Sequence, residues 1–139
     1  MRHGGERAFY NRKDDEIVLP DRHRFTGSVT LTPTESYYAT LLHELTHWSG
    51  AKHRLDREYG KKFGDEAYAF EELVADIGAA FLCADLGIYN EPRADHAQYL
   101  SGWLKLLKQD SRAIFTAAKA ANVAGDFLHG LVTRVTEPS

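Results

Sequence analysis

The sequence predicts an α+β domain, mostly helical, with a small antiparallel β-sheet packed on the helix that carries His43-Glu44-Leu45-Thr46-His47. Three observations predict it. Apolar residues recur at three- and four-residue steps through residues 33–49 and again through residues 66–86, the period of helices with one buried stripe. Two short alternating runs near the start, Arg7-Ala8-Phe9-Tyr10 and Glu16-Ile17-Val18-Leu19, are split by the polar Asn11-Arg12-Lys13-Asp14-Asp15, the pattern of a hairpin. At 139 residues, with 43% hydrophobic and 27% charged side chains, the chain makes one globular domain able to bury a core.

The elements follow in order. Pro20 ends the second strand, and residues 21–31 form a loop with a short strand at Val29–Leu31. Thr32-Pro33-Thr34-Glu35 is a capping box with proline at the first helical position, so the first helix starts at Pro33. Tyr37, Tyr38, Leu41, Leu42, Leu45 and Trp48 form its apolar stripe, and Gly50 stops it. Ala51 to Gly64 is a charged, glycine-punctuated connection expected at the rim of a cleft. The second helix spans residues 66–86 and stops at Gly87. Phe70, Leu73, Val74, Ile77 and Phe81 face its core side, and the small Ala79, Ala80 and Cys83 let another helix come close. Asp95-His96-Ala97-Gln98 opens a third helix with Leu100, Trp103, Leu104 and Leu107 inward. A fourth covers residues 111–123 and extends toward Leu128, with Ile114, Phe115 and Ala118 inward, and Thr133–Ser139 fray.

Composition narrows the function classes. Net charge is −3 and basic residues are interspersed with acids, so nucleic-acid binding is not supported by this segment. Even the densest cluster, Lys52 to Arg57, contains Asp56. No apolar run approaches the ~20 residues of a membrane span. A single cysteine, Cys83, excludes an internal disulfide framework, and no signal peptide precedes Met1-Arg2-His3-Gly4-Gly5, so a cytoplasmic setting is expected.

His43 and His47 lie four residues apart on one helical face, close enough for both imidazoles to reach one zinc ion, and Glu44 is placed to address a water on that metal. Zinc needs a third protein ligand. His53 is one candidate, because His43-x3-His47-x2-Gly50-x2-His53 matches the spacing of metzincins, yet those enzymes require a downstream methionine turn and the only methionine is Met1. Glu72 is the favoured candidate, with Glu71 as a further alternative. Glu72 and Asp76 share a face one turn apart, and their spacing resembles the gluzincin arrangement, where the glutamate ligates zinc and the acid four residues on holds a ligand histidine. Tyr59, Tyr68, His53 and His96 are available to stabilise an oxyanion, and the sequence does not choose among them.

The run from Ser36 to Gly50 containing His43-Glu44-Leu45-Thr46-His47-Trp48, followed by His53-Arg54-Leu55-Asp56-Arg57 and Tyr68-Ala69-Phe70-Glu71-Glu72-Leu73-Val74-Ala75-Asp76, resembles the zincin-like metallopeptidase domain of ArdC-type antirestriction proteins and TraC-type plasmid primases. Arg7–Tyr10 and Asp15–Pro20 resemble its entry hairpin, so the likeness spans residues 3–110. That family more often carries glutamate where Asp76 stands. The resemblance implies a zincin-like domain over residues 1–139, the C-terminal part of a longer antirestriction-type architecture, with zinc as cofactor and a protein or peptide as substrate. The single-stranded-DNA-binding domain of full-length relatives precedes this region and is not carried over. Two readings follow: a zinc peptidase with Glu44 as general base, or a zinc-stabilised module that binds or inhibits a nuclease or DNA-processing partner without proteolysis.

Overall fold

Alternating side chains and a polar turn build the first unit of the computed structural model, which describes residues 1–27, 32–59, 66–88, 108 and 110–136. Strands β2 (Phe9–Asn11) and β3 (Glu16–Leu19) pair antiparallel, Phe9 opposite Val18 and Tyr10 opposite Ile17. The turn between them is closed by Asn11, whose Oδ1 accepts from the amides of Lys13 and Asp14 at 3.0 and 3.2 Å. Asp15 completes it at a φ of 52°, a left-handed conformation that Asp tolerates. An unanticipated strand, β1 (Arg2–His3), adds to the other edge of β3 in parallel, so the hairpin is antiparallel and the full sheet is mixed.

Helix α1 (Pro33–Ser49) begins at the expected box: Thr32 Oγ1 accepts from the Glu35 amide at 3.1 Å, and Glu35 Oε1 accepts from the Thr32 amide at 3.0 Å. The sheet rests on α1 through Ile17 and Leu19 against Tyr37, Leu41, Leu45 and Trp48. Helix α2 (Glu66–Leu86) lies between α1 and α3 (Ala113–Thr136) and packs on both. Toward α1 it offers Ala79, Leu82 and Cys83, which meet Ala39 and Leu42. Toward α3, Val74 meets Ala117 and Ala121.

Several inward assignments change. Phe81 is 41% exposed, Ala80 is exposed, and Tyr38 is 37% exposed, whereas Gly78 lies at the α1 contact. On α3, Ile114 and Phe115 point outward at 46% and 74% exposure, Ala118 is half-buried, and Ala113, Ala117, Ala121 and Ala124 face in. The physical reason is close packing. Helices whose shared face is alanine approach until backbones nearly touch, and the bulky neighbours are rotated out of that seam. The α3 helix runs to Thr136, beyond the expected fraying point. The strand expected at Val29–Leu31 and the helix expected from Asp95 to Leu107 lie outside the described residues. No described helix is long and apolar enough to cross a membrane.

Candidate metal centre

The polar face of α1 is buried more deeply than most of its apolar stripe. His43, Glu44 and His47 are 5%, 4% and 8% exposed, while Leu41, Leu45 and Trp48 are only half-buried. That face meets α2, where Glu71 and Glu72 are also buried. The helices can come this close because of Gly78: a Cβ built there would stand 2.7 Å from Thr46 Cγ2.

Donor atoms of His43, Glu44 and His47 all lie within 4.8 Å of one another, a grouping able to hold a metal ion. The Glu72 carboxylate spans the two imidazoles, with Oε1 3.1 Å from His47 Nε2 and Oε2 3.4 Å from His43 Nε2. Asp76 Oδ1 lies 3.0 Å from His43 Nδ1, off the line of a good hydrogen bond. Glu71 Oε2 takes the corresponding place at His47, bonded to Nδ1 at 2.7 Å. Each ring thus has one carboxylate behind it and shares Glu72 in front. His53 takes no part. It is exposed, and its Nε2 lies 3.3 Å from Asp15 and 2.6 Å from Arg54 Nη1, on the hairpin side.

Charge is balanced locally. Burial works against a charged His43, but contacts with Asp76 and Glu72 outweigh it and raise its pKa. Burial opposes charge on His47 as well, and its hydrogen bonds to Glu71 and Glu72 carry its pKa well above the ordinary value. For Glu72, burial pushes upward while the hydrogen bonds to His43 and His47 bring the carboxyl far below the usual range. Four acids around two histidines therefore make a pocket that draws positive charge.

The chain after α1 folds back over the helix end. The amide of Arg57 donates to Gly50 O at 2.8 Å, that of Leu55 to Ser49 O at 3.0 Å, and Asp56 turns the chain at a φ of 53°. Side chains add a second donor to the last carbonyls of α1: Arg54 Nε donates to Trp48 O at 2.7 Å, Arg57 Nη2 to Thr46 O, and Tyr59 OH to His47 O. Arg54 also stacks 3.7 Å over Trp48 and pairs with Asp15, tying hairpin to helix. Of the residues considered for an oxyanion, Tyr59 is thus engaged with the α1 terminus, Tyr68 is half-buried in the first turn of α2, and His96 lies outside the described residues. Sequence reasoning missed Arg57 and Tyr59 as supports of this helix and took Glu71 as a rival ligand. No signal in the sequence separates the two adjacent glutamates, because their sides of His47 are set by how α2 docks on α1.

A family model described as zincin-like metallopeptidase matches residues 1–120. The uncharacterized protein y4eC of Sinorhizobium fredii (strain NBRC 101917 / NGR234) is 46% identical over 129 residues, covering 93% of this chain and 40% of that protein. DNA primase TraC of Escherichia coli is 44% identical over 129 residues, covering 92% of this chain and 12% of the primase. Two crystal structures of the antirestriction ArdC protein from plasmid R388 superpose with a TM-score of 0.77. The metal-free one is 43% identical and covered over 92% of this chain and 44% of that one; the Mn(II)-bound one is 42% identical, with 93% and 46% covered. This chain spans less than half the length of each of these relatives.

Proposed function

The chain belongs to the zincin-like metallopeptidases, and from that premise we propose that it is a zinc-dependent peptidase of gluzincin type. In this reading His43, His47 and Glu72 are the ligands, Glu44 is the general base, and Asp76 orients His43. The observation that carries it is Glu44, which is 4% exposed although its Oε2 meets no hydrogen-bond donor among the described residues. A buried polar atom without a partner is costly, and a water held on a metal between the histidines would supply the missing donor. The Glu72 carboxylate stands 3.1 and 3.4 Å from the two Nε2 atoms, so the three donors that this reading needs face one another. Two imidazoles with one carboxylate suit zinc's borderline ligand preference.

When bound, zinc supplies Lewis acidity, which acidifies a water toward neutrality and polarises an amide carbonyl. The rest is work for the chain's own residues. Glu44 takes the proton of the attacking water on its carboxylate and returns it to the leaving amine. Glu71 accepts from His47 Nδ1 and Asp76 stands 3.0 Å from His43 Nδ1, which leaves Nε2 of both rings for the ion. Burial of the cluster limits proton loss to bulk water. The substrate class is a protein or peptide. The names of ArdC and TraC support an antirestriction or mobile-element context. They also favour a second reading, because neither relative is named a peptidase: the ion would staple α1 to α2, and the domain would bind a nuclease or DNA-processing partner.

Glu44→Gln decides between them. It preserves shape and metal but removes the base, so peptide hydrolysis should fall by about 10²–10⁴ at unchanged zinc content. A wild type that cleaves nothing across a broad peptide library, while holding zinc, would leave the binding module as the function.

A further inference from the structure

We propose that Arg57, acting through Glu71, is the positioning residue for His47, and that Gly50 is glycine in order to admit the Arg57 guanidinium. The inference rests on the reading of His47 as a metal ligand and deepens it.

A carboxylate that meets a ligand histidine by one oxygen still turns about its own terminal bond, and the ring turns with it. Here that freedom is removed by a fork. Arg57 Nε donates to Glu71 Oε1 at 2.9 Å and Nη2 to Oε2 at 3.1 Å, so both oxygens are gripped in the guanidinium plane. Oε2 is the same oxygen that lies 2.7 Å from His47 Nδ1. The guanidinium is itself anchored to the helix that carries His47, through Nη1 to Ser49 Oγ at 3.0 Å and Nη2 to Thr46 O. Helix, arginine, glutamate and histidine therefore close a ring of contacts. The Arg57 and Glu71 side chains are 12% and 4% exposed, so solvent does little to loosen it.

Gly50 supplies an independent observation. Its φ of −84° is ordinary helical backbone, so no left-handed turn calls for glycine. A Cβ there would instead meet Arg57 Cζ and Nη2 at 2.7 Å and Tyr59 OH at 2.9 Å. The glycine is a notch that lets the guanidinium lie against the helix end. Lysine cannot replace this arginine, because an ammonium offers a point charge with no planar fork.

The experiment is a double-mutant cycle on zinc affinity, measured by chelator competition on the full chain, with ¹⁵N signals of the His47 ring recorded in the zinc-loaded state. Arg57→Gln and Glu71→Gln should each weaken zinc binding by roughly 10–100-fold. The double variant should be no weaker than Glu71→Gln alone, because the arginine works through the glutamate. Arg57→Lys keeps a cation at the α1 carbonyls and guards against misfolding of Arg57→Gln: its metal-free melting should stay near wild type while zinc affinity drops and the His47 ring signals shift. Additive losses in the cycle, or wild-type affinity with unshifted ring signals in Arg57→Lys, would overturn the inference. A wild type that binds no zinc would overturn the metal reading itself, a distinguishable result.

Discussion

Substituting Gly78 by alanine should destabilise the protein, against the helix-forming preference of the two residues. In an exposed helix interior the change favours folding by about 0.8–1.0 kcal/mol. At Gly78 the new methyl would stand 2.7 Å from Thr46 Cγ2 and 2.9 Å from Thr46 Oγ1. Reaching a tolerable 3.4 Å requires a displacement of about 0.7 Å. Thr46 has little room to give: it is 0% exposed, and its hydroxyl donates to Leu42 O at 2.8 Å. The strain therefore passes to the α1–α2 spacing, where overpacking costs about 1–3 kcal/mol. Set against the helix-forming gain, that leaves a net loss of up to about 2 kcal/mol, which should lower Tm by up to roughly 8 °C for a chain of this size. Gly125→Ala is the matched control. It lies in α3, its built Cβ reaches only Leu82 Cδ2, at 4.0 Å, among the described residues, and it should raise Tm. Thermal melting of both variants tests the argument, with Gly78→Ala/Thr46→Ser expected to recover part of the loss. If Gly78→Ala melts at or above the wild-type temperature, the close approach that seats Glu72 between the histidines is not a constraint and the reasoning fails.

Further outcomes are expected. Glu72→Ala should strongly reduce zinc affinity and erase the rise in Tm that zinc brings, whereas His53→Ala should leave both unchanged; the opposite pattern in isothermal titration would restore the spacing-based His53 alternative. Hydrogen bonds from Arg54, aided by Tyr10, hold the Asp15 carboxyl down to about 2 from 3.8. Its folded pKa is below the unfolded one, so the stabilisation is present above about pH 4 and is lost as pH falls toward 2. Asp15 is 37% exposed and therefore screened, so Asp15→Asn should cost no more than about 1 kcal/mol at neutral pH, and the difference from wild type should vanish near pH 2 in acid unfolding curves.

The local elements were legible in the sequence because short-range chemistry determines them. The capping box fixed the start of α1, the polar turn placed the β2–β3 hairpin, and apolar periodicity located α2. The histidine pair was legible for the same reason, since a four-residue step on a helix is geometry internal to one element. The four-residue step from Glu72 to Asp76, likened to the gluzincin arrangement, put them forward as ligand and orienter.

What needed the tertiary structure was every relation between elements. Hydrophobicity alone put Phe81, Ile114 and Phe115 inside, but helix seams are filled by the residues that let backbones approach, and here these are Gly78, Ala79, Ala117 and Ala121. Two adjacent glutamates look alike in sequence. Only the docking angle of α2 on α1 decides that Glu72 faces both Nε2 atoms while Glu71 stands behind His47. Gly50 stops α1 as its sequence suggests, but only the fold-back shows Arg57 packed against it and places His53 beside Asp15. Periodicity records which side of a helix is buried. It does not record what that side is buried against, because that depends on the summed packing of residues far apart in the chain.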